Sequence, residues 1–124
     1  MILSVDDEPS VLSLRKIVLE SAGYEVLNAA DGKQALHMFT TNAIDLVLLD
    51  YHMPGMNGAD VAAEIKRMKP MVPVMLVSAS LTVPSPALNC VDLFIDKGQG
   101  PETMLKEMSK LLSRVSLSAQ RMAA

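Results

Sequence analysis

Four consecutive aliphatic residues, Leu46-Val47-Leu48-Leu49, run without a polar interruption and stop at an acid, Asp50. A strand buried on one face alternates apolar and polar side chains. An unbroken run reads instead as a central parallel strand covered on both faces, which restricts the fold to a sheet with helices on its two sides. The stretch spans Ile44–Gly58, and after the acid come Pro54-Gly55 and Asn57-Gly58, two turn signals that swing the chain away and start a helix. A carboxylate at the C-terminal end of such a strand stands where open α/β sheets bind their ligands.

The rest of the chain repeats this arrangement. Ile2–Val5 is a short apolar strand ending in Asp6-Asp7-Glu8-Pro9, and Ser10 opens a helix with Val11, Leu14, Val18 and Ala22 on its apolar face. Gly23 stops that helix at the position after its C-cap. Glu25–Ala29 is a second strand, and Asp31-Gly32 begins a helix that turns Ala35, Met38 and Phe39 inward. After the central strand, a helix from about Gly58 carries Val61, Ala62, Ile65 and Met68 on one side. Val74–Val77 is a fourth strand ending at Ser78, and Leu93–Ile95 a fifth ending at Asp96-Lys97. Gly100-Pro101 starts the last helix, with proline where its missing N–H does no harm. Met104, Met108, Leu111 or Leu112, and Val115 form its stripe. Residues 1–115 are expected to form one domain, with 116–124 either extending the last helix or fraying.

Strand–helix repeated five times predicts an α/β fold, a doubly wound, five-stranded parallel sheet with right-handed crossovers. In the flavodoxin-like order 2-1-3-4-5, strands one, three, four and five are neighbours. Asp6 and Asp7, Asp50, Ser78 and Lys97 each end a different one of those strands, so five polar groups distant in sequence converge on one sheet edge. Asp6 and Glu8 are also placed as acids favouring a helix N-terminus.

Three carboxylates in one pocket repel each other unless a cation intervenes, and a hard divalent ion such as Mg²⁺ suits oxygen ligands that leave room for water and phosphate. Lys97 offers a positive charge and Ser78 a hydroxyl, both suited to phosphate oxygens. An acid, a divalent metal, a lysine and a hydroxyl together describe a phosphoryl-transfer site, where catalysis is largely positioning and charge neutralisation. No strong base is needed if Asp50 is the nucleophile and forms an aspartyl phosphate.

Other classes are disfavoured. The net charge of −3 and pI of about 5.2 argue against a nucleic-acid surface. Cys90 is the single cysteine, which excludes an intramolecular disulfide and suggests a reducing compartment. The N-terminal apolar stretch is too short for a signal sequence, and no run approaches a membrane span, so a cytoplasmic protein that avoids membranes is expected. His37 and His52 lack partners at metal-ligand spacing. The ten methionines read as core filling.

Val5-Asp6-Asp7-Glu8, Asp50 with Met53-Pro54-Gly55-Met56-Asn57-Gly58, Ser78-Ala79 and Phe94-Ile95-Asp96-Lys97 occur in an order that resembles the receiver domain of two-component response regulators. The resemblance runs from Ile2 to about Leu112. It implies that Asp50 accepts a phosphoryl group from a phosphohistidine on a sensor histidine kinase or a histidine phosphotransfer protein. It implies Mg²⁺ on Asp7, Asp50 and the backbone carbonyl of His52, with Asp6 helping directly or through water. Lys97 would contact the phosphoryl group, Ser78 would move to hydrogen-bond it, and Phe94 would turn inward behind it as an aromatic switch. His52 and Ser80, each two residues past a motif residue, would tune the lifetime of the phosphoryl group. The expected role is a single-domain signalling phosphoacceptor that switches binding of a downstream protein, rather than a turnover enzyme.

Two departures from the family pattern stand out. Gly98 follows Lys97 where the family usually has proline, often after a cis bond. A cis bond before a non-proline residue costs about 2.5–4 kcal/mol, so this loop is either trans and differently shaped or cis at that cost. Between Ser78 and Lys97 the segment is short and contains Pro84 and Pro86, which argues that the family's fourth helix is shortened or lost, with one turn starting at Pro86 capped by Ser85. The partner-reading surface next to it is then rebuilt. These departures motivate an alternative, a receiver-like interaction module whose switch is not phosphorylation. A phosphatase with an aspartyl-phosphate intermediate, similar to haloacid dehalogenase-like enzymes, is disfavoured because His52 stands where a second acid is expected.

Overall fold

The computed structural model describes residues 1–78 and 89–123, with side chains as far as Val115. Strand β1 (Ile2–Val5) leads to helix α1 (Pro9–Ser21), β2 (Val26–Ala29), α2 (Gly32–Thr41), β3 (Leu46–Leu49), α3 (Gly58–Met68) and β4 (Val74–Ser78). Beyond the undescribed residues come β5 (Leu93–Asp96), a 3₁₀ turn (Lys97–Gln99) and α4 (Gly100–Ala123). The sheet order is β2-β1-β3-β4-β5 and every pairing is parallel, as the strand-helix alternation predicts. The expected loss of the helix between β4 and β5 falls on residues 79–88 and, with Ser80, lies outside the described residues. Among the described residues, no helix is long and apolar enough to cross a membrane.

The period-two alternation of strand side chains divides the core in two. Leu3, Val5, Val47, Leu49, Val74 and Leu76 point to one face and pack with Ala35 and Phe39 of α2 and Val61, Ala62 and Ile65 of α3. Ile2, Leu46, Leu48, Met75, Val77 and Ile95 point to the other, against Leu19 of α1 and Met104, Met108 and Leu111 of α4. Both faces of the central strands are dry, which is why β3 carries no polar residue until Asp50.

Helix α1 sits in a different phase from the one its apolar spacing suggests. Its inward residues are Leu12, Arg15 and Leu19, whereas Leu14 is 64% exposed and Ile17 63%. The helix begins at Pro9, one residue before Ser10. The 11-14-18 and 12-15-19 rows have the same spacing, so periodicity alone does not distinguish them. In the second row Leu12 and Leu19 fill the core, and Arg15 is admitted between them because Ser4 and Asp6 lie beneath it.

Two caps place the site loops. Asp31 caps α2 by accepting the Gln34 N–H at 2.8 Å. Asn57 and Asp60 form a reciprocal capping box at the start of α3, at 2.9 and 3.2 Å.

Candidate functional site

The register of the parallel strands carries the polar strand ends to one edge. Val5 of β1 pairs with Leu49 of β3, and Leu49 with Leu76 of β4, so Asp6, Asp50 and the end of β4 lie side by side. Ser78 in turn pairs with Asp96, immediately before Lys97. Asp6 is fully buried, Asp50 is 4% exposed and Ser78 1% exposed, while Asp7 faces solvent.

Lys97 closes the cluster. Its Nζ donates to Asp50 Oδ2 at 3.2 Å and to Asp6 Oδ2 at 3.4 Å. Burial alone would lower its pKa, but the charges of Asp50 and Asp6 outweigh that, and the amine is held above the ordinary lysine value. Asp6 Oδ1 accepts the Glu8 N–H at 3.0 Å, which turns the chain into α1. Asp50 Oδ1 is buried and has no hydrogen-bond partner among the described residues. One carboxylate oxygen from each of Asp6, Asp7 and Asp50 lies within 4.8 Å of the others. Three converging carboxylates, one with a buried unpartnered oxygen, match the donor set of a hard divalent cation, so these residues fit Mg²⁺.

The loop after β3 forms the outer wall. A cavity of about 700 Å³ is bounded by Asp7, Tyr51, His52, Met53, Pro54, Gly55 and Asn57. The His52 ring is exposed and meets Tyr51 edge-on, with centroids 4.8 Å apart. Gly55 has φ +78°, a left-handed conformation suited to glycine. Gly58 answers a different need: its N–H donates to the Tyr51 carbonyl at 2.9 Å, and a Cβ there would fall 2.4 Å from the Asp50 carbonyl oxygen. The start of α3 thus rests directly on the backbone of Asp50.

The Lys97-Gly98 bond is trans, as are all peptide bonds among the described residues. In place of a proline-shaped loop, Asp96 accepts the Gly98 N–H at 2.8 Å, and Gln99 Oε1 accepts the Asp96 N–H at 3.1 Å. This reciprocal cap holds residues 97–99 in a 3₁₀ turn and aims Lys97 at the acids. Phe94 is half-buried and packs against the core on the α2–α3 side.

Sequence reasoning missed one residue of the cluster. Arg15 is only 7% exposed; it donates through Nη1 to Ser4 Oγ at 3.2 Å and through Nη2 to Asp6 Oδ2 at 3.5 Å. Burial lowers its pKa, with Asp6 and then Asp50 opposing. The available signal was Ser4, a hydroxyl in the middle of an otherwise apolar strand and in phase with Asp6.

Comparison with known proteins places the fold. The response regulator receiver domain profile matches residues 2–109. The alkaline phosphatase synthesis transcriptional regulatory protein PhoP of Bacillus subtilis is 38% identical over 78 residues, covering 63% of this chain and 32% of PhoP. Response regulator SaeR of Staphylococcus aureus is 30% identical over 118 residues, 92% of this chain and 51% of SaeR. The chain therefore spans between about a third and a half of the length of these two relatives. Among solved structures, a CheY-like receiver domain protein from Methanospirillum hungatei has a TM-score of 0.89 at 26% identity, covering 94% of this chain and 96% of that one. Response regulator TrrA from Thermotoga maritima, solved in complex with Mg(2+)-BeF, has a TM-score of 0.84 at 34% identity, covering 89% and 96%. With its sheet order, acid cluster and lysine in place, the chain belongs to the response regulator receiver domains of two-component signalling.

Proposed function

We propose that this receiver domain is an Mg²⁺-dependent phosphoacceptor and that Asp50 is the residue phosphorylated. The observation that carries the reading is Lys97 Nζ at 3.2 Å from Asp50 Oδ2, with Asp6 and Asp7 converging beside them. An Asp50 oxygen attacks the phosphorus of a phosphohistidine on a sensor histidine kinase or a histidine phosphotransfer protein. A P–O bond forms, the P–N bond breaks, and the imidazole leaves with the electron pair.

Asp7, Asp50 and the His52 backbone carbonyl would hold Mg²⁺, with Asp6 assisting directly or through water. The ion would supply charge neutralisation for the phosphoryl oxygens. Lys97 takes over the transferred charge, since its ammonium already faces the attacked carboxylate. Ser78, buried at the same sheet edge, donates its hydroxyl to the phosphoryl group, and Phe94, half-buried against the neighbouring core, follows it as the switch. His52 in the cavity wall and Ser80 tune how long the group survives. Phosphorylation biases two arrangements of this edge, and a downstream protein reads the difference. In this reading residues 1–115 form the working domain, located in the cytoplasm with the kinase's transmitter region.

The test is incubation with acetyl phosphate and Mg²⁺ followed by intact mass measurement. A single phosphate adduct is expected on the wild-type chain and none on Asp50→Asn. No wild-type adduct, or one that survives Asp50→Asn, overturns the proposal and favours a phosphorylation-independent interaction module.

A further inference from the structure

Arg15 plays no part in the phosphoacceptor scheme, yet it occupies a core position. One turn to either side, Leu12 and Leu19 fill the same face of α1 with apolar side chains. A buried ion pair is a poor device for stability, because well-packed apolar residues of similar volume do as well or better. The position of Arg15 suggests an electrostatic role. Ser4 in β1 and Asp6 just past its end face it, and the charge of Asp50, just past β3, also acts on it. Lys97, before α4, shares Asp6 Oδ2 with it. From α4, Gly100, Pro101 and Met104, none of them charged, line the same cavity as Arg15.

Two cations therefore already lie within 3.5 Å of Asp6 Oδ2, while Oδ1 accepts a backbone N–H. Three carboxylates against Lys97 and Arg15 leave the cluster with one net negative charge. With a neutral residue at position 15 it would have two, roughly doubling the first-order attraction for a dication.

We propose that Arg15 is a resident counter-cation of the acid cluster, a positioning residue that keeps Asp6 occupied and weakens the site's hold on Mg²⁺. It thereby sets the Mg²⁺ concentration at which the domain becomes competent. This inference rests on the metal-binding reading given above.

Isothermal titration of MgCl₂ into the wild-type chain, Arg15→Met and Arg15→Lys at one ionic strength tests it, with thermal unfolding to verify folding. Arg15→Met should bind Mg²⁺ about tenfold more tightly than wild type, and Arg15→Lys, which keeps the charge, should stay within about threefold. Should Arg15→Met fail to fold, Arg15→Gln carries the same expectation as a neutral residue that still hydrogen-bonds. Equal affinity in wild type and the neutral variant overturns the inference alone, as does Arg15→Lys shifting as far as Arg15→Met. Binding by the neutral variant but not by wild type supports it. Binding by neither overturns it together with the metal reading.

Discussion

Replacing Gly58 with alanine should injure the fold and the site together, because one added carbon meets the backbone of Asp50. The new Cβ would lie 2.4 Å from the Asp50 carbonyl oxygen and 2.9 Å from Leu76 Cδ1, whereas real Cβ contacts stay beyond 3.0 Å. Either the start of α3 or the Asp50 backbone must move by at least about 0.6 Å, and neither is a free side-chain end. Overpacking of this kind costs about 1–3 kcal/mol, and removing a glycine from the unfolded chain returns about 0.4–1 kcal/mol. A net loss of about 1–2 kcal/mol follows. For a chain of 124 residues that lowers the melting temperature by about 4–8 °C. Thermal and urea unfolding of Gly58→Ala measure it, with Gly98→Ala as the control, since there the Cβ meets only Asp96 Oδ1 at 3.3 Å. If Asp50 is the acceptor proposed above, acetyl phosphate labelling of Gly58→Ala should also slow, because the backbone of Asp50 has shifted. A Gly58→Ala protein as stable as wild type, or no less stable than Gly98→Ala, refutes the packing argument.

The phase of α1 gives a second prediction. Leu14→Ser, at a residue 64% exposed, should change stability by no more than about 0.5 kcal/mol, whereas Leu19→Ala, at a fully buried one, should cost about 2–5 kcal/mol. Urea midpoints in the opposite order would mean that α1 faces the sheet as its apolar spacing suggests. Lys97 gives a third, in pH. Its folded pKa is raised, so the stability it contributes is fully present below the ordinary lysine value of about 10.4 and is lost as pH rises through the raised value. The stability difference between wild type and Lys97→Met should therefore narrow as thermal scans move from pH 9 to above pH 11. A difference that stays constant across that range would show that the ammonium charge is not what acts on Asp50 and Asp6.

The sequence alone determined which residues end each strand and the order in which they arrive. Unalternated runs such as Leu46–Leu49 declare strands buried on both faces, and the acids, the serine and the lysine that stop them mark one edge of a parallel sheet. Asp50, Asp6 and Lys97 were legible for that reason: their positions at one edge follow from strand topology, which hydrophobic pattern reports well. Two things waited for the tertiary structure. The Lys97-Gly98 turn had two open forms, and the choice of the trans 3₁₀ form rests on a hydrogen-bond exchange between Asp96, Gly98 and Gln99. The inward face of α1 includes Arg15, whose polarity makes it look like a surface residue until Ser4 and Asp6 are brought beneath it. Apolar periodicity scores side chains one at a time, but a buried charge is admitted only when its partners are in place, and those partners come from another strand.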